Sequence, residues 1–73
     1  LTPIKKVVWH KESEHLIILE SNGTLSFLEI DGQLPINKMI ISKDVSDFIY
    51  DELIDTVYLI KNEILYNFQI TDI

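Results

Sequence analysis

The stretch VVWHKESEHLIILESNGTLSFLEI, residues 7–30, decides the fold, because most of it returns about 41 residues later. The echo, residues 48–70, reads FIYDELIDTVYLIKNEILYNFQI. Setting Trp9 over Tyr50 places Ile4 on Val45, Val7 on Phe48, Val8 on Ile49, and residues 16–19 on residues 57–60. One deletion at the tight turn then places Leu25 on Leu65, Leu28 on Phe68 and Ile30 on Ile70. Eleven apolar positions coincide, too many for two unrelated strand sets. The chain is a tandem repeat.

Each unit reads as strands and turns. Residues 4–9 form a first strand, with Pro3 before it as a strand-start residue that has no donor for a ladder. Residues 10–15, HKESEH, contain no apolar side chain and read as a solvated turn. Residues 16–19 are a continuous apolar run, the pattern of a strand covered on both faces. Asn22-Gly23 is a hairpin signal, since both residues tolerate the positive φ of a type I′ turn. Residues 24–30 complete the hairpin, and 31–35, DGQLP, are the most loop-like stretch. A fourth strand follows at 36–42, and Lys43-Asp44 turns into the second unit. There 45–50, 56–60 and 64–70 repeat the plan, the last with Ile64, Tyr66, Phe68 and Ile70 on one face.

A helical alternative exists between residues 45 and 60. Val45, Phe48, Ile49, Leu53, Val57 and Ile60 follow helical spacing, with Asp44 as a cap. It leaves Tyr50, Ile54, Tyr58 and Leu59 on other faces, and the segment is rich in β-branched and aromatic residues. Strands are the better reading.

Composition bounds the function. Seventy-three residues make one small β unit, 1–73, with blade-like repeats at 4–42 and 45–70. Isoleucine occurs 13 times, whereas alanine, arginine and cysteine are absent. Without cysteine there is no disulfide framework and no thiolate metal site. The net charge of −6 and the lack of arginine disfavour nucleic acid, whose recognition needs phosphate neutralisation and bidentate guanidinium contacts. No apolar run nears the ~20 residues that span a bilayer, so no membrane insertion is expected. The absence of cysteine fits an intracellular chain, nuclear or cytoplasmic, and no basic-then-apolar start reads as a signal peptide. The first residue is leucine rather than methionine, as in a piece of something longer.

Strand, turn, strand, Asn-Gly-Thr, strand, then a further strand before the next unit resembles a WD40-type β-propeller repeat. A period near 40 in a β-patterned chain is itself the mark of propeller blades. SNGTLSFLEI stands where that family's repeat ends, with Leu28 and Phe68 at its tryptophan position and Glu29 and Gln69 at its aspartate position. No Gly-His pair precedes the inner strand of the second unit, where Ser42-Lys43-Asp44 stands, so the family's His/Ser/Asp/Trp tetrad is not carried over. The resemblance implies an all-β fold: one full antiparallel four-stranded blade and three strands of the next, a fragment of a larger propeller. It implies the role such degenerate propellers play in nucleoporins, vesicle coats and replication adaptors, a non-enzymatic scaffold that binds other proteins within a larger assembly. The alternative is an autonomous small β-sheet domain that takes a peptide along an open edge.

Chemistry-bearing residues are few. His10 and His15 flank Glu12 and Glu14, but a polar turn is ordinarily hydrated, and no metal site is expected. Five serines lie in no nucleophile-elbow context, and two glycines do not make a phosphate loop. No catalytic residue, cofactor site or small-molecule substrate is expected. Asn22-Gly23-Thr24 matches the glycosylation pattern but is better read as turn chemistry. Trp9 is expected in the core, matched by Tyr50 in the second unit. The turn Asp51-Glu52-Leu53-Ile54-Asp55 is the candidate partner contact. Leu53 and Ile54 would serve as an apolar anchor, and Asp51, Glu52 and Asp55 as an acidic surround that speeds encounter. The plainer alternative folds both apolar residues back onto the next blade.

Overall fold

The structure, a computed structural model, describes residues 2–12, 14–30 and 37–70. The loop expected at 31–35 and the start of the fourth strand at Ile36 lie outside the described residues. Seven strands follow in chain order: β1 Ile4–Trp9, β2 His15–Glu20, β3 Leu25–Glu29, β4 Lys38–Ser42, β5 Val45–Asp51, β6 Thr56–Lys61 and β7 Ile64–Gln69. They form two antiparallel meanders, a four-stranded sheet β1-β2-β3-β4 and a three-stranded sheet β5-β6-β7. The fold is all-β. Among the described residues no α-helix forms, and the 45–60 segment is strand, turn and strand.

The two sheets share one register. Val7 faces Ile18 in the first, and Phe48 faces Leu59 in the second, both shifted by 41 residues. Leu16 faces Leu28, and Val57 faces Phe68. A bulge interrupts the first ladder between Ile4 and Lys6 and the second between Val45 and Asp47, at equivalent positions. Even a loop bond repeats: Ile30 N–H donates to the Glu14 carbonyl, and Ile70 N–H to the Asp55 carbonyl, each at 3.0 Å.

The two hairpin turns differ, and the first is not the type I′ turn expected of Asn22-Gly23. Gly23 N–H donates to the Glu20 carbonyl at 2.9 Å, and of Asn22 and Gly23 only Gly23 has positive φ, at 89°. This is a three-residue loop ending on a left-handed glycine, not a type I′ pair. The type I′ form belongs to the second hairpin, where Asn62 and Glu63 have φ of 52° and 66°. The longer first loop lets the Gly23 carbonyl accept from Val45 N–H at 2.9 Å, tying it to the start of β5.

Stacking follows from register, because cross-strand partners share a face. Val8, Ile17, Leu19, Leu25 and Phe27 lie on one face of the first sheet, here called its front. Phe48, Tyr50, Val57, Leu59, Phe68 and Ile70 lie on one face of the second, its back. The core is built from these two faces together with Val45, and Ile41 packs against it. Shifting by the repeat turns front residues Val8 and Ile17 into Ile49 and Tyr58, and back residues Val7 and Trp9 into Phe48 and Tyr50. The front of one unit therefore packs on the back of the next. The outer faces are the equivalents of the buried ones.

That arrangement corrects the expectation for Trp9. It occupies the site matching Tyr50, opposite Leu16 as Tyr50 is opposite Val57, but it is 58% exposed. Trp9 stands on the back of the first sheet, where it is exposed at one end of the face while Ile18 and Leu28 on the same face are buried. Leu28 and Phe68 do hold matching third-strand sites.

Lysines pin the interface along β1 and β5. Lys6 Nζ donates to Asp47 Oδ1 at 3.2 Å and to the Phe48 carbonyl, and it lies over the Phe48 ring. Lys5 Nζ donates to the Ser46 carbonyl at 2.7 Å. On the outer back, Lys38 donates to Glu20 at 3.2 Å; the two stand on either side of β3, so the pair bridges over it.

Candidate functional site

The turns after β1 and β5 sit at the same end of the stack, and the first is not wholly solvated. His10 continues the alternation of β1, which aims it, like Val8, into the gap between the sheets. It is 4% exposed and rests edge-on against Phe27, with ring centroids 5.2 Å apart. Its Nε2 donates to Asp55 Oδ1 at 2.8 Å, and the same oxygen accepts from Tyr50 Oη at 2.5 Å. His10 thus comes from the front of the first sheet, and Tyr50 and Asp55 from the second. His15 stacks on the other side of this corner, 4.5 Å from the Phe27 ring centroid at an interplanar angle of 16°.

Burial raises the Asp55 carboxyl pKa, but the hydrogen bonds from Tyr50 and His10 outweigh it and hold the group below the usual carboxylate range. The Tyr50 phenol is pushed up to about 12, first by burial and then by donating to the Asp55 carboxylate. Both shifts favour one arrangement, a neutral tyrosine donating to an ionised aspartate. Asp55 takes up this place with a left-handed backbone, φ 51°, which aspartate tolerates better than most residues.

Asp55 is 6% exposed, so it does not belong to the acidic surround expected of it. A carboxylate sealed by two donors from its own chain has little field left for an approaching partner. The rest of the turn is different. Asp51 Oδ1 accepts from Leu53 N–H at 3.0 Å, and Thr56 Oγ1 donates to the Ile54 carbonyl at 3.0 Å, so both ends of the loop are fixed. Between them Leu53 is 91% exposed and Ile54 51%, with Glu52 exposed beside them. The structure thus brings together Asp51, Glu52, Leu53 and Ile54 on one surface turn and separates Asp55 from them. Leu53 stands almost fully in solvent, whereas Ile54 is half-buried and lines a cleft with Tyr58 of β6 and Phe68 of β7.

No family model, no curated protein and no solved structure matches this chain. What the site does must therefore be argued from its own geometry.

A buried His–Asp pair is an arrangement that general acid–base chemistry uses, and here it joins the two sheets. The His10 ring packs against Phe27 and Tyr50, and a cleft of about 270 Å³ that shares Phe27 is lined by His15, Phe27, Glu29, Asn37, Lys38 and Met39. Among the described residues, no three histidine, aspartate or glutamate side chains are grouped to hold a metal ion.

The His10–Asp55 bridge was not foreseen from sequence, although a signal existed. Both units end their first strand on a large aromatic, Trp9 or Tyr50, and both place an acid five residues on, Glu14 or Asp55.

Proposed function

We propose that this chain is a non-enzymatic protein–protein interaction scaffold, built as consecutive blades of a WD40-like β-propeller inside the cell. Its contact surface is the turn at residues 51–54. The observation that carries the reading is the exposure of Leu53 on a turn whose two ends are hydrogen-bonded in place. Exposing leucine and isoleucine on a fixed loop gains nothing for the fold, whereas an apolar anchor with Asp51 and Glu52 beside it suits a partner offering an apolar pocket near lysines or arginines. Front-to-back stacking of equivalent sheets supports the propeller reading, since such stacks either close into rings or extend. The alternative, a peptide adding as a strand, would use β7, which pairs only with β6 among the described strands.

The test places a photo-crosslinking residue at position 53, and a control at Lys43, in cells. A discrete protein adduct at 53 and none at 43 is expected. Changing Leu53 and Ile54 together to serine should then weaken binding of the crosslinked protein about 30-fold, the scale of a hot-spot residue. The melting temperature should stay within a degree or two. A drop of many degrees would make the pair core and end the proposal.

A further inference from the structure

The outer face of the second sheet carries information about what stacks on it. Its residues are the repeat equivalents of the buried front of the first sheet: Ile49 for Val8, Tyr58 for Ile17, Ile60 for Leu19 and Leu65 for Leu25. Ile49, Ile60 and Leu65 are exposed, and around them lies an apolar cleft of about 110 Å³. The polar lock has its equivalents too, and there the chemistry inverts. Asp51 takes the place of His10. A sheet arriving as the second sheet does on the first would set its own Asp55-equivalent against an aspartate.

We infer that this face is a stacking surface for a further β-sheet that brings a lysine, arginine or histidine to Asp51. The inference rests on the scaffold reading and deepens it by naming the sign of the neighbour. Two observations carry it. The first is continuity with the interface already formed, where equivalent backbone positions repeat down to single hydrogen bonds. The second is charge complementarity: in the buried lock a donor on the front meets an acid on the back, so an acid on the front requires a donor on the back.

The same geometry excludes a second copy of this chain as the occupant. The back of its first sheet presents Glu14 where Asp55 stands in the second, because each carbonyl accepts the equivalent isoleucine N–H. Stacking copy on copy would press Asp51 against Glu14. Along β1 and β5 the contact would be favourable, since Asp47 would meet Lys6 with the roles exchanged. Opposition is therefore concentrated at this end, where Glu52, the equivalent of the Lys11 that acts on Asp55, adds to it, and reversing the charge at position 14 or 51 should relieve it.

The experiment is a charge-swap cycle on the full chain, read by sedimentation velocity and by the emission of Trp9, the chain's single tryptophan. The copy carrying Glu14→Lys serves as the sheet with a cation in the Asp55 place. Wild type should stay monomeric, whereas Glu14→Lys and Asp51→Lys should each self-associate at least tenfold more strongly. Trp9 lies on the face to be covered, so its emission should shift to the blue in both single variants. The double variant, with lysine at both positions, should return to monomer and to the exposed spectrum. Assembly of the wild type, single variants no more associated than wild type, or a double variant as associated as the singles would each overturn the inference. A failed cycle beside a discrete adduct at position 53 would remove the stacking surface and leave the contact turn standing.

Discussion

His10 Nε2 and Asp55 Oδ1, 45 positions apart in the chain, lie 2.8 Å apart across the gap between two sheets. Both side chains are buried, and Tyr50 completes the contact from β5. The bond therefore closes one end of the interface, as the lysines of β1 close it along the first and fifth strands.

Acid should weaken the fold through Asp55. Its folded pKa lies below the ordinary 3.8, so the unfolded chain takes up the proton first as pH falls. The contribution is fully present above that value and is lost as pH drops through the folded one. Chemical denaturation of wild type between pH 5 and pH 2 should show a steeper loss than Asp55→Asn, which keeps the left-handed backbone and the shape. At neutral pH the substitution itself should cost ~1–3 kcal/mol, the range for a weakened buried hydrogen bond.

Alkali should act through Tyr50. Its folded pKa of about 12 exceeds the ordinary 10.0, so the unfolded chain ionises first on the way up. Stability is retained below pH 10 and falls as pH rises toward 12. Denaturant midpoints over pH 9–12 should decline for wild type and decline less for Tyr50→Phe. Equal slopes would show that Tyr50 is not the group responsible.

Equivalent positions should respond unequally to truncation. Phe48, buried between the sheets, should cost ~3–5 kcal/mol on replacement by alanine. Trp9→Ala should fall within ~0.5 kcal/mol, as for an exposed side chain. Comparable losses at both, measured by urea denaturation, would mean that the back of the first sheet is covered in the folded chain.

Gly23 should resist substitution on two counts. Its φ of 89° is poorly tolerated by other residues, and an added Cβ would meet the Asp44 Cα at 3.2 Å. Gly23→Ala should cost ~1–3 kcal/mol, the range for a non-glycine residue held in a sparsely populated conformation. Amide exchange at Val45 should rise with it, because that N–H donates to the Gly23 carbonyl. Unchanged protection at Val45 would separate the loop from the interface.

The strands and their repetition were legible in the order of residues alone. Alternation, the run at 16–19 and the Asn-containing turns act over a few residues, and the shift of 41 that aligns Trp9 with Tyr50 reappears in the ladder register. Turn type was only half legible, because Asn22-Gly23 suits two loop lengths, and the longer one forms, with its Gly23 carbonyl accepting from Val45 N–H. Burial was decided by the tertiary structure alone. Trp9 and Tyr50 have the same local pattern, yet one faces outward and the other into the core, since only one of their two faces meets a neighbouring sheet. His10, in a turn without one apolar residue, became buried because Asp55 and Tyr50 arrive from the next unit to receive it. A local pattern can say that a face is apolar; what comes to lie on that face is fixed by the stacking of units distant in the chain.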